Sequence, residues 1–171
     1  LLEVKDWKLD TIRSVDRASV ELLTGSGIKR VGNPIEQVRQ CTYQLVNRLQ
    51  ADPQLVHPDG RYKGNLIFPY GFGVVLSNIT RKQFEKAQLG EVLPTNQTLC
   101  SDEMTESTDL EVFQSKFWGM FNVVFQRKLS LPQLDRIRWH IFPEVRIGTE
   151  EFVFESPPQG ETDKSVAELL P

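Results

Sequence analysis

A helix with a sharply marked beginning constrains the fold of this chain more than any other feature. Asn33 is a favourable N-cap, Pro34 fits the first helical position, and Glu36 stands where a capping-box side chain reaches back. Apolar residues then recur with helical spacing and predict one buried face that extends to about Gln50: Ile35, Val38, Thr42, Leu45, Val46 and Leu49.

Short apolar segments on both sides of this helix predict strands. The segment Phe72–Leu76 is apolar on both faces, which is typical of a strand buried in a parallel or mixed sheet. Gly25-Ser26-Gly27 predicts the turn that follows the third strand. The predicted strands are 1–5, 11–15, 19–23, 66–68, 72–76, 98–100 and 152–154. Strands mixed with helices predict an α/β class, with α+β as the alternative.

Three further helices have recognisable capping pairs. Thr80 with Gln83 predicts a helix over 81–88, Thr108 with Glu111 predicts the next, and Ser130 with Gln133 predicts the last. The expected inward positions of the last two helices are Leu110, Phe113, Phe117, Phe121 and Val124, then Leu131, Leu134, Ile137 or Arg138, and Ile141. Trp118 and Trp139 lie among apolar neighbours and are interpreted as core residues.

The first strand carries a candidate site, the triplet Glu3-Val4-Lys5. Side chains alternate along a strand, so Glu3 and Lys5 share a face with Cα atoms roughly 6.5–7 Å apart, while Leu2 and Val4 point into the covering layer. Mg²⁺ prefers oxygen ligands, and the Glu3 carboxylate and the Val4 main-chain carbonyl offer two. Lys5 would neutralise charge that develops on a scissile phosphate.

Two other interpretations of this segment stay open. A surface strand with alternating charges has the same pattern, and a Glu-x-Lys triplet arises by chance about once per two chains of this composition. Asp6-Trp7-Lys8 repeats the spacing on the opposite face, so the strand register decides between the two triplets. Apolar residues precede the first triplet and the second leads into a turn, which favours the first.

A polar flank on the capped helix is the second candidate feature. Gln37, Cys41 and Gln44 lie beside the apolar face of the helix. The Gln37 amide there could hydrogen-bond a metal-bound water or a phosphate. The alternative is a solvated helix edge.

Basic residues on two helices are candidate phosphate contacts. Arg81, Lys82 and Lys86 lie at the start of one helix, and Arg136 and Arg138 lie on the last helix. The alternative is that both groups are ordinary solvated faces.

Composition excludes several classes of protein. The 171 residues carry a net charge of −3, so the chain is no polybasic nucleic-acid binder and DNA contacts would need local patches. Cys41 and Cys100 with two distant histidines form neither a zinc spacing nor a disulfide framework, which favours a reducing cytoplasm. No apolar run is long enough to cross a membrane, and no P-loop motif occurs.

Three segments in order resemble the nuclease-related domain (NERD) of the PD-(D/E)XK nuclease superfamily. They are Glu-Val-Lys-Asp-Trp at 3–7, Asn-Pro-x-x-Gln at 33–37 and Phe-Gly-Val-Val-Leu at 72–76. Segments 78–84, 100–104 and 138–147 resemble the region that joins such a domain to a UvrD-like superfamily 1 helicase motor.

The resemblance implies a partial restriction-endonuclease-like mixed sheet flanked by helices, with a C-terminal helical extension. It implies that Glu3 binds Mg²⁺ or Mn²⁺, that Lys5 is the catalytic lysine, and that Gln37 lies near the site. The family's metal-binding Asp lies on the strand before Glu-x-Lys. We expect that strand upstream of Leu1, in a longer parent protein of which this chain is a fragment.

The domain organisation expected from the resemblance has three parts. Residues 1–90 form the C-terminal part of the NERD core, 91–154 a mostly helical extension, and 155–171 a linker toward a downstream helicase motor. The expected function is part of a metal-dependent DNA nuclease, and the alternative is an inactive DNA-binding or docking module with the same fold. An exposed sheet edge also makes a homodimer possible.

Overall fold

The computed structural model describes residues 1–121 and 128–143 and divides the chain into two units, 1–127 and 128–171. The class is mixed α/β, with two small sheets in the first unit. The described helices and strands are β1 (Leu2–Lys5), β2 (Ile12–Val15), β3 (Ser19–Thr24), β4 (Gly27–Gly32), α1 (Pro34–Gln50), β5 (Gly73–Leu76), α2 (Arg81–Lys86), β6 (Thr98–Cys100), α3 (Leu110–Trp118) and, in the second unit, α4 (Leu131–Ile141).

The first sheet is parallel and has the order β1-β5-β6. Glu3 pairs in register with Val74 and Lys5 with Leu76, while β6 pairs with the other side of β5. All four β5 residues are buried, as the apolar sequence of this strand predicted. Strand β6 of this sheet ends at Cys100, beyond residue 90, where the resemblance places a domain boundary. That boundary stays a prediction.

Helices cover both faces of the parallel sheet. On one face, Val74 and Leu76 pack with Ile35 and Val38 of α1 and with Phe84 of α2. On the other face, a second buried cluster consists of Val75, Leu99 and Met120, with half-buried Phe113 of α3 against it. The predicted α/β class is therefore confirmed, although this sheet is parallel and not the mixed sheet that was expected.

Close approach at the start of β5 requires a glycine. A Cβ at Gly73 would lie 2.6 Å from the Met120 sulfur and 2.8 Å from the Gln97 carbonyl oxygen. The Gln97 oxygen belongs to the backbone, so it has little freedom to move. Any side chain at position 73 would therefore separate the strand from its neighbours.

The second sheet is an antiparallel meander in the order β2-β3-β4. The β3–β4 turn includes Gly27 at a φ of +116°, a conformation that favours glycine. Strand β4 is missing from the sequence prediction because its residues are mostly exposed and offer no apolar alternation.

A buried asparagine joins this sheet to α1. Asn33 is fully buried, and its Oδ1 accepts a hydrogen bond from the Ile35 N–H at 2.9 Å. Its Nδ2 donates to the Asp16 carbonyl at 2.8 Å, at the loop between β2 and β3. The N-cap prediction is confirmed, but Glu36 pairs with Arg39 and no reciprocal capping box forms.

Two local predictions are wrong because neighbouring residues satisfy the backbone better. Leu66–Phe68 is not a strand; Leu66 forms only an isolated bridge with Val56. The helix α3 is capped by Asp109, whose Oδ1 accepts from two backbone N–H groups, while the Thr108 hydroxyl accepts from the Thr105 N–H. The caps of α2 at Thr80 and α4 at Ser130 are confirmed as capping boxes, although α2 ends at Lys86 and not at 88.

Several side chains predicted to be buried are exposed. Leu2 is exposed and Val4 is 62% exposed, so the far face of β1 lacks the cover expected for it. Trp118 is 62% exposed, because α3 turns its phenylalanines to the sheet instead, and it is no core residue. In the last helix the predicted inward residues Leu131, Leu134 and Ile141 are exposed.

Some predictions fall outside the described residues. They are Val124, the strand at 152–154 and the linker at 155–171. None of the described helices combines the length and apolar character needed to cross a membrane.

Replacing Asn33 by Ala is expected to lower the free energy of unfolding by roughly 1–3 kcal/mol. The substitution removes the helix cap and leaves the Asp16 carbonyl without its donor. Urea denaturation followed by circular dichroism measures the change. Asn47→Ala is the matched control on the exposed side of α1 and should stay within about 0.5 kcal/mol. Equal effects at both positions would contradict the linking role of Asn33.

Candidate functional site

The triplet Glu3-Val4-Lys5 lies in β1 with its charged side chains on one face, as alternation predicted. Lys5 Nζ is 2.7 Å from Glu3 Oε1, and the two side chains form an ion pair. Residues paired in register on parallel strands point to the same face. Glu3 and Lys5 therefore point to the side on which Val74 and Leu76 meet α1.

Lys5 is held between two neighbours. Besides Glu3, its Nζ lies 5.5 Å from the centroid of the Trp7 ring, a cation–π distance. Trp7 itself packs against the main core, so its ring has a fixed position. The rival triplet Asp6-Trp7-Lys8 lies after the end of β1, so strand alternation does not place its two charges on a common face.

The outer edge of β1 presents main-chain groups. The Leu1 and Lys5 carbonyls accept hydrogen bonds from Gly73 and Ser77, on the side of β5. Carbonyls alternate in direction along a strand, so the Val4 carbonyl points away from β5. No strand in 1–121 or 128–143 pairs with that edge. A carboxylate and an outward carbonyl on adjacent residues form a pair of oxygen donors, which fits half of a Mg²⁺ or Mn²⁺ site.

Gln37 contributes an unpaired buried acceptor. Its Oε1 is buried without a hydrogen-bond partner among the described residues, while its Nε2 lies close to Gly32 at the end of β4. An unpaired buried oxygen costs roughly 1–3 kcal/mol. Such an atom is suited to receive a hydrogen bond from a water or ligand that enters beside it.

Helix geometry shows on which flank of α1 Gln37 lies. Glu36 and Tyr43 face a cleft shared with Gln97, which directly precedes β6. At 100° per residue, Gln37 lies on the opposite flank of the buried face. The Gln37 side chain on that flank lies next to Gly32 at the end of β4. Glu3 and Lys5 thus lie on the face of the parallel sheet that α1, the helix of Gln37, covers.

The Arg81 side chain is part of an ion cluster that stabilises the fold. Its Nε and Nη2 donate to the two carboxylate oxygens of Glu103, both at 2.8 Å, and Nη2 also donates to the Thr98 carbonyl. Glu103 is 6% exposed and further accepts from Lys116 Nζ at 2.5 Å and from the Cys100 N–H at 2.9 Å. This ion cluster joins α2, β6 and α3. It engages Nε and Nη2 of the guanidinium that was a candidate phosphate contact, while Nη1 is buried without a hydrogen-bond partner among the described residues.

Three pKa values are shifted in and beside the ion cluster. Burial by itself would raise the pKa of Glu103, but hydrogen bonds from Arg81 and Lys116 outweigh it and lower that pKa to about 2. The hydrogen bond with Glu103 raises the pKa of Arg81. Burial raises the pKa of the Cys100 thiol to about 11, so this cysteine stays protonated and unreactive at neutral pH.

The other candidate phosphate contacts divide between the two units. Lys82 and Lys86 are exposed on α2 in the first unit. In the second unit, Arg138 is exposed with a carboxylate oxygen of Asp135 at 3.9 Å, and Arg136 is half-buried. Of the five candidate cations, Arg81 included, the three of α2 belong to the unit that holds the triplet.

Two features were missed by sequence reasoning. Glu103 and Lys116 have no motif or periodicity that marks them as a pair, because they come together only through tertiary packing. The exposed Tyr43 and the half-buried Phe72 form an aromatic pair that lines a cleft, and a helical wheel alone could not connect them.

Comparison with protein-family models, curated proteins and solved structures found no match to this chain. Within the described residues, no group of three or more His, Cys, Asp or Glu side chains is placed to hold a metal ion.

Acid is expected to destabilise the fold through Glu103. Its folded-state pKa of about 2 lies below the ordinary value of 4.5, so its stabilisation is complete above about pH 4.5. That stabilisation is lost as pH falls from about 4.5 toward 2. Urea unfolding at a series of pH values measures the decline.

Lys116→Met is the informative variant because it removes one of the two cations and leaves Arg81 in place. The folded-state pKa of Glu103 should rise toward its ordinary value, so the acid-dependent loss of stability becomes smaller. Glu111→Gln, an exposed carboxylate on α3, is the control and should leave the pH profile unchanged. Identical profiles for wild type and Lys116→Met would contradict the assignment.

Proposed function

We propose that this chain is part of a metal-dependent DNA nuclease domain that works with a helicase motor. The supporting observation is that Glu3 and Lys5 form a charged pair on the side of the sheet that α1 covers. Gln37 of the same helix has a buried amide oxygen without a hydrogen-bond partner among the described residues. The class of reaction, metal-dependent hydrolysis of phosphodiester bonds, is inferred from the order of the NERD-like segments. The proposed fold is restriction-endonuclease-like, which agrees with a parallel sheet between helices.

Each residue has a role that follows from its chemistry. The Glu3 carboxylate and the Val4 carbonyl would hold Mg²⁺ or Mn²⁺, and the ion supplies Lewis-acid polarisation of a phosphate oxygen when bound. Lys5 binds the scissile phosphate and neutralises charge as the attacking oxygen approaches phosphorus. Gln37 accepts a hydrogen bond from a water and orients it.

The outer edge of β1, with which no strand of the described residues pairs, is where a further carboxylate would enter. A strand added there brings its side chains next to Glu3, because neighbouring strands lie about 4.8 Å apart. We place the second metal-binding acid on such a strand, from a longer form of this protein or from a second copy in a homodimer. The expected compartment is the cytoplasm, where DNA and a helicase are present.

A second candidate function is DNA binding without cleavage. It is favoured by the direct Lys5–Glu3 ion pair, which occupies a carboxylate oxygen that a metal would use. In that case the exposed lysines of α2 would carry the phosphate contacts, and the domain would dock a helicase on DNA.

Substituting Glu3 or Lys5 by Ala is expected to reduce Mg²⁺-dependent cleavage roughly 100-fold or more. The assay measures release of a labelled DNA end by the complete protein that contains this chain, with EDTA as the metal-free reference. Circular dichroism checks that both variants remain folded, which is expected because neither side chain belongs to the buried core.

Glu21→Ala and Lys29→Ala are matched controls on the antiparallel sheet and should cleave like the wild type. Full cleavage by Glu3→Ala would overturn the catalytic assignment. Loss of cleavage in all four variants would indicate a general structural effect.

The double variant Lys82→Ala/Lys86→Ala is expected to bind DNA less tightly and with a shallower salt dependence. Each lost phosphate contact lowers the slope of log affinity against log salt by about 1, so the slope should fall by about 2. Fluorescence anisotropy over a salt series measures this. Lys29→Ala/Lys63→Ala removes two exposed lysines elsewhere and should keep the wild-type slope. An unchanged slope in the α2 variant would exclude these lysines from the DNA contact.

A further inference from the structure

A cleft lies on the flank of α1 opposite to Gln37. Its volume is about 510 Å³, within the usual range for small-molecule sites, and it is formed by α1, the residue before β5 and the segment 90–97. It is separate from the Glu3–Lys5 pair, neither of which lines it.

One wall of the cleft is aromatic. Tyr43 and Phe72 meet edge to face, with ring centroids 6.4 Å apart and an angle of 68° between the rings. Phe72 packs against the main core and so fixes the position of the Tyr43 ring, which is still 48% exposed. A ring that is held in place and open to solvent is a stacking platform.

The lining of the cleft also carries amides. Asn96 and Gln97 both line the cleft, and each side-chain amide offers a donor and an acceptor. Gln97 Nε2 donates a long hydrogen bond of 3.4 Å to the Phe72 carbonyl, which holds this amide next to the aromatic pair. Donors and acceptors beside an aromatic face match the edge and the face of a nucleobase.

The charges of the cleft favour a neutral ring over a buried phosphate. Arg17 and Arg39 are balanced by Glu36 and Glu91, so the lining carries no excess positive charge. Arg39 already pairs with Glu36. Arg17 is exposed and has no carboxylate partner among the described residues, so it is available for the phosphate attached to a bound base.

We propose that this cleft, lined by Tyr43, Phe72, Asn96 and Gln97, binds one unpaired nucleobase of single-stranded DNA. A base in a duplex is stacked and paired on both sides, so only a single strand or a frayed end can present one to Tyr43. The inference rests on the proposed function only in taking DNA as the polymer, and it specifies single strands as the preferred ligand.

The test is binding of the full chain to a short fluorescein-labelled oligothymidylate in EDTA, measured by fluorescence anisotropy. Tyr43→Leu should weaken binding roughly 5- to 150-fold, the range that loss of one base–aromatic stack produces. Tyr43→Phe keeps the ring and should bind like the wild type. Binding to a blunt duplex of the same length should be weaker and insensitive to Tyr43→Leu.

Tyr62→Leu is the matched control, because Tyr62 is 57% exposed and does not line the cleft. Circular dichroism and thermal melting verify that Tyr43→Leu folds. Equal binding by Tyr43→Leu and wild type, or equal losses for Tyr43→Leu and Tyr62→Leu, would overturn the inference. A loss that Tyr43→Phe fails to rescue would do the same, since it would point to the hydroxyl and not to stacking.

The cleavage and binding assays distinguish a failure of the cleft proposal from a failure of the nuclease proposal. If Glu3→Ala abolishes cleavage while Tyr43→Leu binds the oligonucleotide normally, the cleft proposal falls and the nuclease proposal stands. If Tyr43→Leu loses binding while Glu3→Ala cleaves normally, the cleft is a base site on a domain whose chemistry lies elsewhere.

Discussion

The parallel pairing of β1 with β5 determines which face of the sheet carries the charged side chains of the first strand. Its register sets Glu3 opposite Val74, and Val74 belongs to the core beneath α1. A shift of one residue would turn the charged pair to the other face and bring Val4 under the helix. The buried β5 holds this register, because all its side chains are enclosed by neighbours on both faces. The position of the charged pair is thus a consequence of core packing.

Asn33 gives α1 its direction relative to the sheets. One amide group both caps the helix and binds the loop that precedes β3, so the helix cannot begin elsewhere without losing a buried hydrogen bond. The same fixed start sets the angular position of every later residue on α1. Gln37 and Tyr43 lie on opposite flanks of α1 for that reason. Two distinct candidate sites therefore depend on one buried side chain.

The Glu103 cluster shows how tertiary packing reassigns a surface-type residue. Arg81 follows a helix cap and has the sequence context of a solvated cation. In the structure it spans from α2 to Glu103, and Lys116 of α3 joins the same carboxylate. A buried carboxylate needs such partners, because one left unpaired in the protein interior is strongly destabilising. Arg81, which stabilises the fold through this cluster, is therefore less available to a phosphate than the exposed Lys82 and Lys86.

The sequence alone determined the features that depend on near neighbours. The capped helix from Asn33, the buried β5, and the shared face of Glu3 and Lys5 all follow from spacing and capping chemistry. The tertiary structure decided which face each element buries. It left Val4 and Trp118 exposed and brought distant residues together in the Glu103 cluster and the Tyr43 cleft. The physical reason is that periodicity describes a segment by itself, whereas burial and ion pairing depend on the segments that pack against it.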